Sequence, residues 1–381
     1  MKAVKEFRDS KNIDEPISLI DSEGRVDPKE DPKLSEEALI KLYSTMKLVR
    51  HVDDRMLKMQ RQGRIGFYLT SLGEEATHVG ATFALEQRDW VFPCYREPGA
   101  LFARGFPLKD YICQVLGNSA DLVKGRQMPN HWSARHLNIG SVSSPVGTQI
   151  PQAVGFAWAA KIRKDPIVTL VYFGEGATSQ GDFHVGANFA GVFQTPVILF
   201  CRNNQWAISL PGKQQTASKS FAGKASAYGI NSAQVDGNDI LAVYKVTSEA
   251  VKRARRGEGA TLIEAVTYRV GAHSSSDDPR LYRPDNEIEK WLAKDPIKRF
   301  RTYLEWKELW NNKKEEELDN NIISQIALTL STTESISPPE PETLFEDIYE
   351  KKPWHLIEQE ETMKNILKQS NQYGNCSKGE Y

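Results

Sequence analysis

Cysteine is scarce in this sequence. The four that occur (Cys94, Cys113, Cys201, Cys376) are far apart, with no CxxC pair and no Cys/His cluster. That pattern excludes a disulfide framework and a zinc site, and it points to a reducing, cytoplasmic surrounding. No apolar run approaches the ~18 residues that a membrane span requires. The opening MKAVKEFRDSKNIDEP has no apolar segment and so is not a signal peptide. Charge of one sign is also missing: 49 basic residues meet 50 acidic ones, a net charge of −1. The usual electrostatic grounds for a nucleic-acid or membrane partner are therefore absent. No internal repeat is present.

What remains is an ordinary soluble composition, 40% hydrophobic and 26% charged over 381 residues, enough to bury a sizeable core. Residues 1–33 are polar, with Pro16, Pro28 and Pro32. They are expected to form an arm that is disordered or lies on a partner. After Ser35, the residues Leu39, Tyr43, Met46, Val49, Val52, Met56 and Met59 recur at helical spacing. From 150 onward helical and strand patterns alternate: Pro151–Lys164 helix, Ile167–Phe173 strand, Ser179–Gln194 helix, Pro196–Arg202 strand, then Gly229–Val235 and Thr261–Val270 as strands around a helix after Asn238. This predicts an α/β fold, a doubly wound, mostly parallel sheet with helices on both faces. The helix at 179–194 carries Gly186, Ala187, Ala190 and Gly191, a small-residue face that admits close packing by another subunit or by this chain itself. The expected organisation is an arm (1–33), an α/β domain (34–280) and a helical C-terminal extension and tail (281–381).

Two polar clusters stand at ends of apolar strands. VTLVYF runs into Gly174-Glu175-Gly176, and PVILFC runs into Arg202-Asn203-Asn204. Ligands of parallel sheets bind beyond the carboxyl ends of the strands, and successive strands are often neighbours. Glu175 and Asn204 can thus converge on one crevice as hard oxygen ligands for Mg²⁺. The helix starting near Ser179 would add a positive end for an anion, and Arg202 a guanidinium for a phosphate. Taken separately, Gly-Glu-Gly is more often merely a strand-to-helix turn and Asn203-Asn204 merely a loop. Taken together they describe a site for a Mg²⁺-bound diphosphate.

Gly-acid-Gly followed by Asn-Asn is also the thiamine diphosphate motif. Beyond it, the sequence resembles the alpha subunit of the decarboxylating component of 2-oxo acid dehydrogenase complexes. The resemblance runs from about Leu39 to Leu356 and is strongest to the branched-chain type. It is carried by GRIGFYLTSLGEEATHVG, KGRQMPNHW, SSPVGTQIPQAVG, GEGATSQGD, FCRNNQWAIS and YRVGAHSSSDDPRLYRP. The resemblance implies the thiamine diphosphate-binding fold. It implies Glu175, Asn204 and the backbone carbonyl of Trp206 as Mg²⁺ ligands. Around the cofactor it places Tyr95, Arg96, Ser144, Val146, Gly176, Ala177, Arg202, Arg269 and His273. In branched-chain relatives Ser143, Pro145, Thr148 and Gln149 hold a structural K⁺.

His273 is the catalytic candidate by the same resemblance, stabilising the bound intermediate and supplying a proton during acyl transfer. The first of the family's two adjacent histidines is Ala272 here. Ser274 aligns with a serine that is phosphorylated in mitochondrial relatives, and Pro284 replaces their second site; phosphorylation is not expected. The Asp277-Asp278 pair reads as a solvated loop. Phe67 and Tyr68 match the apolar wall that receives the substrate side chain, with a slot built from Phe67, Tyr95 and Val146, and Cys94 stands where relatives can carry glutamine. The implied reaction is oxidative decarboxylation of a branched-chain 2-oxo acid with acyl transfer to the lipoyl domain of an acyltransferase component. The glutamate that activates the cofactor's pyrimidine belongs to a beta subunit in this family, so a two-alpha, two-beta assembly is implied. Pyruvate or acetoin as substrate, or a non-catalytic scaffold subunit, are the alternatives.

Overall fold

A strand that is apolar at every position needs cover on both faces. In the computed structural model of the chain, which describes residues 15–372, five segments pair into one parallel sheet. These are β1 (Trp90–Phe92), β2 (Thr169–Gly174), β3 (Val197–Asn203), β6 (Asn231–Asp236) and β7 (Thr261–Val266), in spatial order β1-β2-β3-β7-β6. Between β3 and β6, β4 (Trp206–Ala207) and β5 (Leu210–Pro211) form a small antiparallel ribbon. β1 is an edge strand of three residues, too short to show a period in the sequence. β7 separates β3 from β6, so the chain skips a position and returns, as a doubly wound sheet requires.

Strand alternation distributes the side chains to two helical layers. Leu170, Tyr172, Ile198, Phe200 and Ile263 face α2 (Glu75–Phe83), α3 (Pro98–Ala103) and α7 (Ile240–Arg255). Val171, Phe173, Leu199, Cys201 and Leu262 face α5 (Gln149–Arg163) and α6 (Gly181–Phe193). On α6, a Cβ at Gly186 would come within 2.8 Å of Ile150 Cγ2, and one at Gly191 within 2.0 Å of the Tyr228 carbonyl. The small-residue face is thus used inside this chain.

A third layer is helical. α1 (Glu36–Arg61) is capped by Ser35, which accepts from Ala38 N at 3.2 Å, and all seven residues predicted to line its inner face are buried. They share a core with residues of α4 (Leu108–Leu116), with Ile297, Phe300, Tyr303 and Leu304 of α9 (Pro296–Trp306), and with Ile322, Ile326 and Leu330 of α10 (Asn312–Thr333). Residues 296–333, expected as part of a C-terminal extension, therefore pack into the same body as α1. α8 (Asp285–Leu292) leads into this layer, and α11 (Trp354–Gln372) ends the described chain. No helix among the described residues is long and apolar enough to cross a membrane.

The arm behaves differently from its reading in the sequence. Residues 1–14 lie outside the described residues, but from Ile17 the segment lies on this chain's own body. Ile17 N donates to the Gln234 carbonyl at 2.9 Å. The cause is Asp239: its Oδ1 caps α7 through Leu241 N and Ala242 N, while Oδ2 accepts from Leu19 N and Ile20 N, both at 2.7 Å. A buried carboxylate able to accept four backbone donors outweighs the polarity of the segment. Replacing Asp239 with alanine should cost about 2–4 kcal/mol, the loss of a helix cap plus unsatisfied buried donors. Denaturant midpoints measure the cost. Hydrogen exchange at Leu19 and Ile20 tests the cause, since amides that stay protected in the variant would refute it.

Candidate active site

Parallel pairing of β2 with β3 sets Gly174 opposite Arg202, so Glu175 and Asn204 leave the sheet at the same level. Glu175 is fully buried, with Oε2 accepting from Asn204 N at 3.3 Å and Oε1 from Gln215 Nε2 at 3.3 Å. Alternation along β3 turns the two asparagines apart. Asn203 donates to Glu264 at 2.7 Å, away from the site, while Asn204 lines a cavity of about 220 Å³ at the sheet's carboxyl edge.

That cavity collects most of the residues singled out in the sequence. Tyr95, Arg96, Val146, Glu175, Gly176, Ala177, Arg202, Asn204, Trp206, Arg269 and His273 all line it, with Cys94 and Gln149. Ser143, Ser144, Pro145 and Thr148 stand beside it and Phe67 stands off it, half-buried at the turn after α1. The oxygens of the 143–149 segment are partly spoken for. Thr148 Oγ1 donates to the Pro145 carbonyl at 3.1 Å, and Ser144 Oγ lies 2.7 Å from His131 Nε2. Gln149 donates to the Tyr172 carbonyl, leaving its buried Oε1 without a partner.

Charge separates the arginines into two kinds. Arg202, expected to meet a phosphate, is enclosed by two carboxylates that the sequence reading did not single out. Nη2 lies 2.7 Å from Glu97 Oε1, and Nη1 pairs with Glu74. Glu74 lies in the quoted GRIGFYLTSLGEEATHVG and Glu97 directly after the Tyr95-Arg96 pair, but nothing linear brings them to β3. Arg269 has neutral acceptors only: the carbonyls of Trp206 (3.1 Å) and Ile208 (2.7 Å) and the Tyr282 hydroxyl (2.8 Å). Arg96 donates to the carbonyls of Thr70 (2.6 Å) and His273 (2.8 Å), with Glu74 no closer than 4.0 Å. Arg269 has no carboxylate partner among the described residues, and Arg96 has only Glu74 at 4.0 Å, which it shares with Arg202; a buried cation so weakly paired is costly, so these two guanidinium groups favour an anion in the cavity. The buried Nε of Arg269 has no partner, which leaves it a donor to spare.

His273 reports the same field. Burial first, then Arg96 and Arg269, push its imidazole down to about 3. Arg96 Nη2 is 3.2 Å from Nδ1; a guanidinium only donates, so Nδ1 accepts and the proton sits on Nε2. The backbone N–H of His273 donates to Asp277 Oδ2 at 2.7 Å, and the Tyr282 hydroxyl donates to the same oxygen at 2.6 Å. Asp277, read as part of a solvated loop, thus fixes the histidine turn. Burial pushes the Glu175 carboxyl up, a shift that a bound cation would reverse. Among the described residues no group of three or more His, Cys, Asp and Glu could hold a metal. A cation here would rely on Glu175 with amide and carbonyl oxygens.

The family model described as "Dehydrogenase E1 component" matches residues 43–342. This chain is a member of the dehydrogenase E1 component family. Among the relatives of this E1 chain is the mitochondrial 2-oxoisovalerate dehydrogenase subunit alpha of Dictyostelium discoideum, 46% identical over 92% of this chain and 80% of its own length. The Homo sapiens protein of that name is 44% identical over 92% of this chain and 79% of its own length. In Arabidopsis thaliana, subunit alpha 1 is 42% identical over 93% and 75%. These relatives overturn the expected cytoplasmic location, since all are named as mitochondrial. Cys94, Cys113 and Cys201 are buried and free, which specifies no compartment. Membership in the E1 family implies thiamine diphosphate. The cavity fits its anionic end, with Arg96 and Arg269 on its lining, the free Arg269 Nε and a glycine at 176 where a Cβ would meet Ala207 Cβ at 2.8 Å.

In the cofactor-free E1 chain His273 should remain neutral from pH 8 to about 4, as followed by NMR of the imidazole. An unfolded imidazole takes up its proton near 6.5, so this group should lower stability as pH falls from about 6.5 towards 3. Arg96→Ala should raise the folded value. An unshifted titration near 6.5 in the unaltered chain would contradict the charge assignment.

Proposed function

We propose that this chain is the alpha subunit of a branched-chain 2-oxo acid dehydrogenase, working as half of an alpha–beta site in a two-alpha, two-beta assembly. The observation that carries the reading is the convergence of Glu175, Asn204, Arg96, Arg269 and His273 on one cavity of a chain so similar to 2-oxoisovalerate dehydrogenase alpha subunits. Glu175, the Asn204 amide oxygen and the Trp206 carbonyl would hold Mg²⁺. Gly176 and Ala177 would lie against the diphosphate, with Tyr95, Arg96, Ser144, Val146 and Arg269 around it. Arg202 then acts by holding the wall, through Glu74 and Glu97, more than by meeting a phosphate. Pro145, Thr148, Gln149 and Ser143 offer oxygens to K⁺, and the unpartnered Gln149 Oε1 suits that role.

When bound, thiamine diphosphate supplies the electron sink for decarboxylation. The chain's own residues bind it, neutralise its phosphates and exclude water. His273 would supply a proton during acyl transfer to the lipoyl domain of an acyltransferase as the imidazolium, returning to the neutral ring that keeps its Nε2 proton. Anionic ligands would offset the field of Arg96 and Arg269, raising the imidazole towards a range useful for proton transfer. Exposed apolar Val146 and Ile208 line the cavity, and Leu210 and Leu281 are exposed on the neighbouring ribbon and histidine loop. Such a collar supports a beta subunit closing the site. Tyr95, Val146 and Cys94 are the substrate-wall residues on the cavity, and Phe67 is not part of its lining.

The purified alpha chain alone should not decarboxylate 2-oxo acids, whereas the alpha–beta complex should. The complex should favour 3-methyl-2-oxobutanoate over pyruvate by about 10–200-fold in kcat/KM, the ~1–3 kcal/mol an apolar wall supplies. An alpha chain as fast as the complex would remove the half-site reading, and a preference for pyruvate would remove the branched-chain assignment. Calorimetry of Mg²⁺-dependent thiamine diphosphate binding, with Glu175→Ala and Asn204→Ala, separates an enzyme from a scaffold that retains the fold.

A further inference from the structure

We infer that Glu74 is a positioning residue for the metal side of this site, acting by turning the Asn204 amide so that its oxygen faces a cation. The inference rests on the reading of Glu175 and Asn204 as Mg²⁺ ligands. A primary amide has two ends of nearly equal size, and only the oxygen can ligate Mg²⁺. Something must therefore hold the nitrogen. Both Glu74 oxygens lie 3.1 Å from Asn204 Nδ2, and the carboxylate is fully buried. An ionised carboxylate only accepts, so the nitrogen turns to Glu74 and Oδ1 turns away, where it accepts from Trp206 N at 3.3 Å. This places the amide oxygen beside the residue whose carbonyl is the third proposed ligand.

The same carboxylate pairs with Arg202 Nη1 and stands 4.0 Å from Arg96 Nε, so one side chain contacts three residues that line the cavity. Its backbone is fixed ahead of α2, with Glu74 N donating to the Ser71 carbonyl at 2.8 Å and Thr77 Oγ1 donating to the Glu74 carbonyl at 2.6 Å. Such outer partners set ligand orientation and tune metal affinity. A competing account gives Glu74 only the task of neutralising Arg202. The two differ in whether its effect passes through Asn204.

The test is a Mg²⁺ titration by calorimetry of the alpha–beta complex with saturating thiamine diphosphate, for Glu74→Ala, Glu74→Gln, Asn204→Ala and the Glu74→Ala/Asn204→Ala double variant. Glu74→Ala should weaken Mg²⁺ binding about 10–100-fold, the range for outer-shell partners. Glu74→Gln should lose less, because its amide oxygen still accepts from Asn204 Nδ2. On top of Asn204→Ala the Glu74 change should add almost nothing. Unaltered Mg²⁺ affinity in an assembled Glu74→Ala complex, or an equal loss with and without Asn204, would overturn the inference. Should Glu74→Ala not assemble, Glu74→Gln and its pairing with Asn204→Ala decide by the same criteria. Unaltered Mg²⁺ affinity in Asn204→Ala would instead strike the ligand reading itself, and the role of Glu74 would fall with it.

Discussion

Arg202 stands one residue before the end of β3 inside the protein, and Glu74 and Glu97 flank its guanidinium there. Those acids immediately precede α2 and α3, so one ion cluster pins two helices to the carboxyl edge of the sheet. Removing one partner from such a buried cluster typically costs about 3–5 kcal/mol, because a charge is left uncompensated. The cavity owes its wall to this arrangement. Glu74 meets Asn204, and Asn204 meets Glu175, so the two strand ends described by the sequence are joined through residues from outside both strands.

The cluster also divides the labour among the cations. With Arg202 neutralised, the positive field within the cavity comes from Arg269, whose acceptors are carbonyls and a hydroxyl, and from Arg96, which has Glu74 only at 4.0 Å. A negative group arriving between these two buried positive charges would offset their repulsion. The imidazole of His273 is depressed by burial first and by the same two arginines second. An anion would thus complete the electrostatics of the site and change the protonation of its candidate acid together.

Much of the architecture was legible. The continuous apolar runs of β2, β3 and β7 required a sheet covered on both faces, and the spacing from Leu39 to Met59 gave a helix with one buried side. Glu175 and Asn204 were legible as a pair because both follow strands that pair in parallel. Glu74 and Glu97 were not, since an acid before a helix looks like any other until a partner is known. The arm was misread for a related reason: its polarity is a local property, while the groups that hold it, Asp239 and Gln234, are more than 200 residues away. Phe67 matched a motif yet lies off the cavity, where only the path of the turn after α1 could place it.

By itself, then, the sequence determined the periodicities, the strand ends and the residue types offered there, because these depend on neighbours along the chain. The tertiary structure alone decided which arginine is neutralised, which asparagine faces the cavity and which way its amide turns. Those outcomes depend on pairings between distant charges and on the register of β2 against β3, and burial makes each pairing strong enough to select one arrangement.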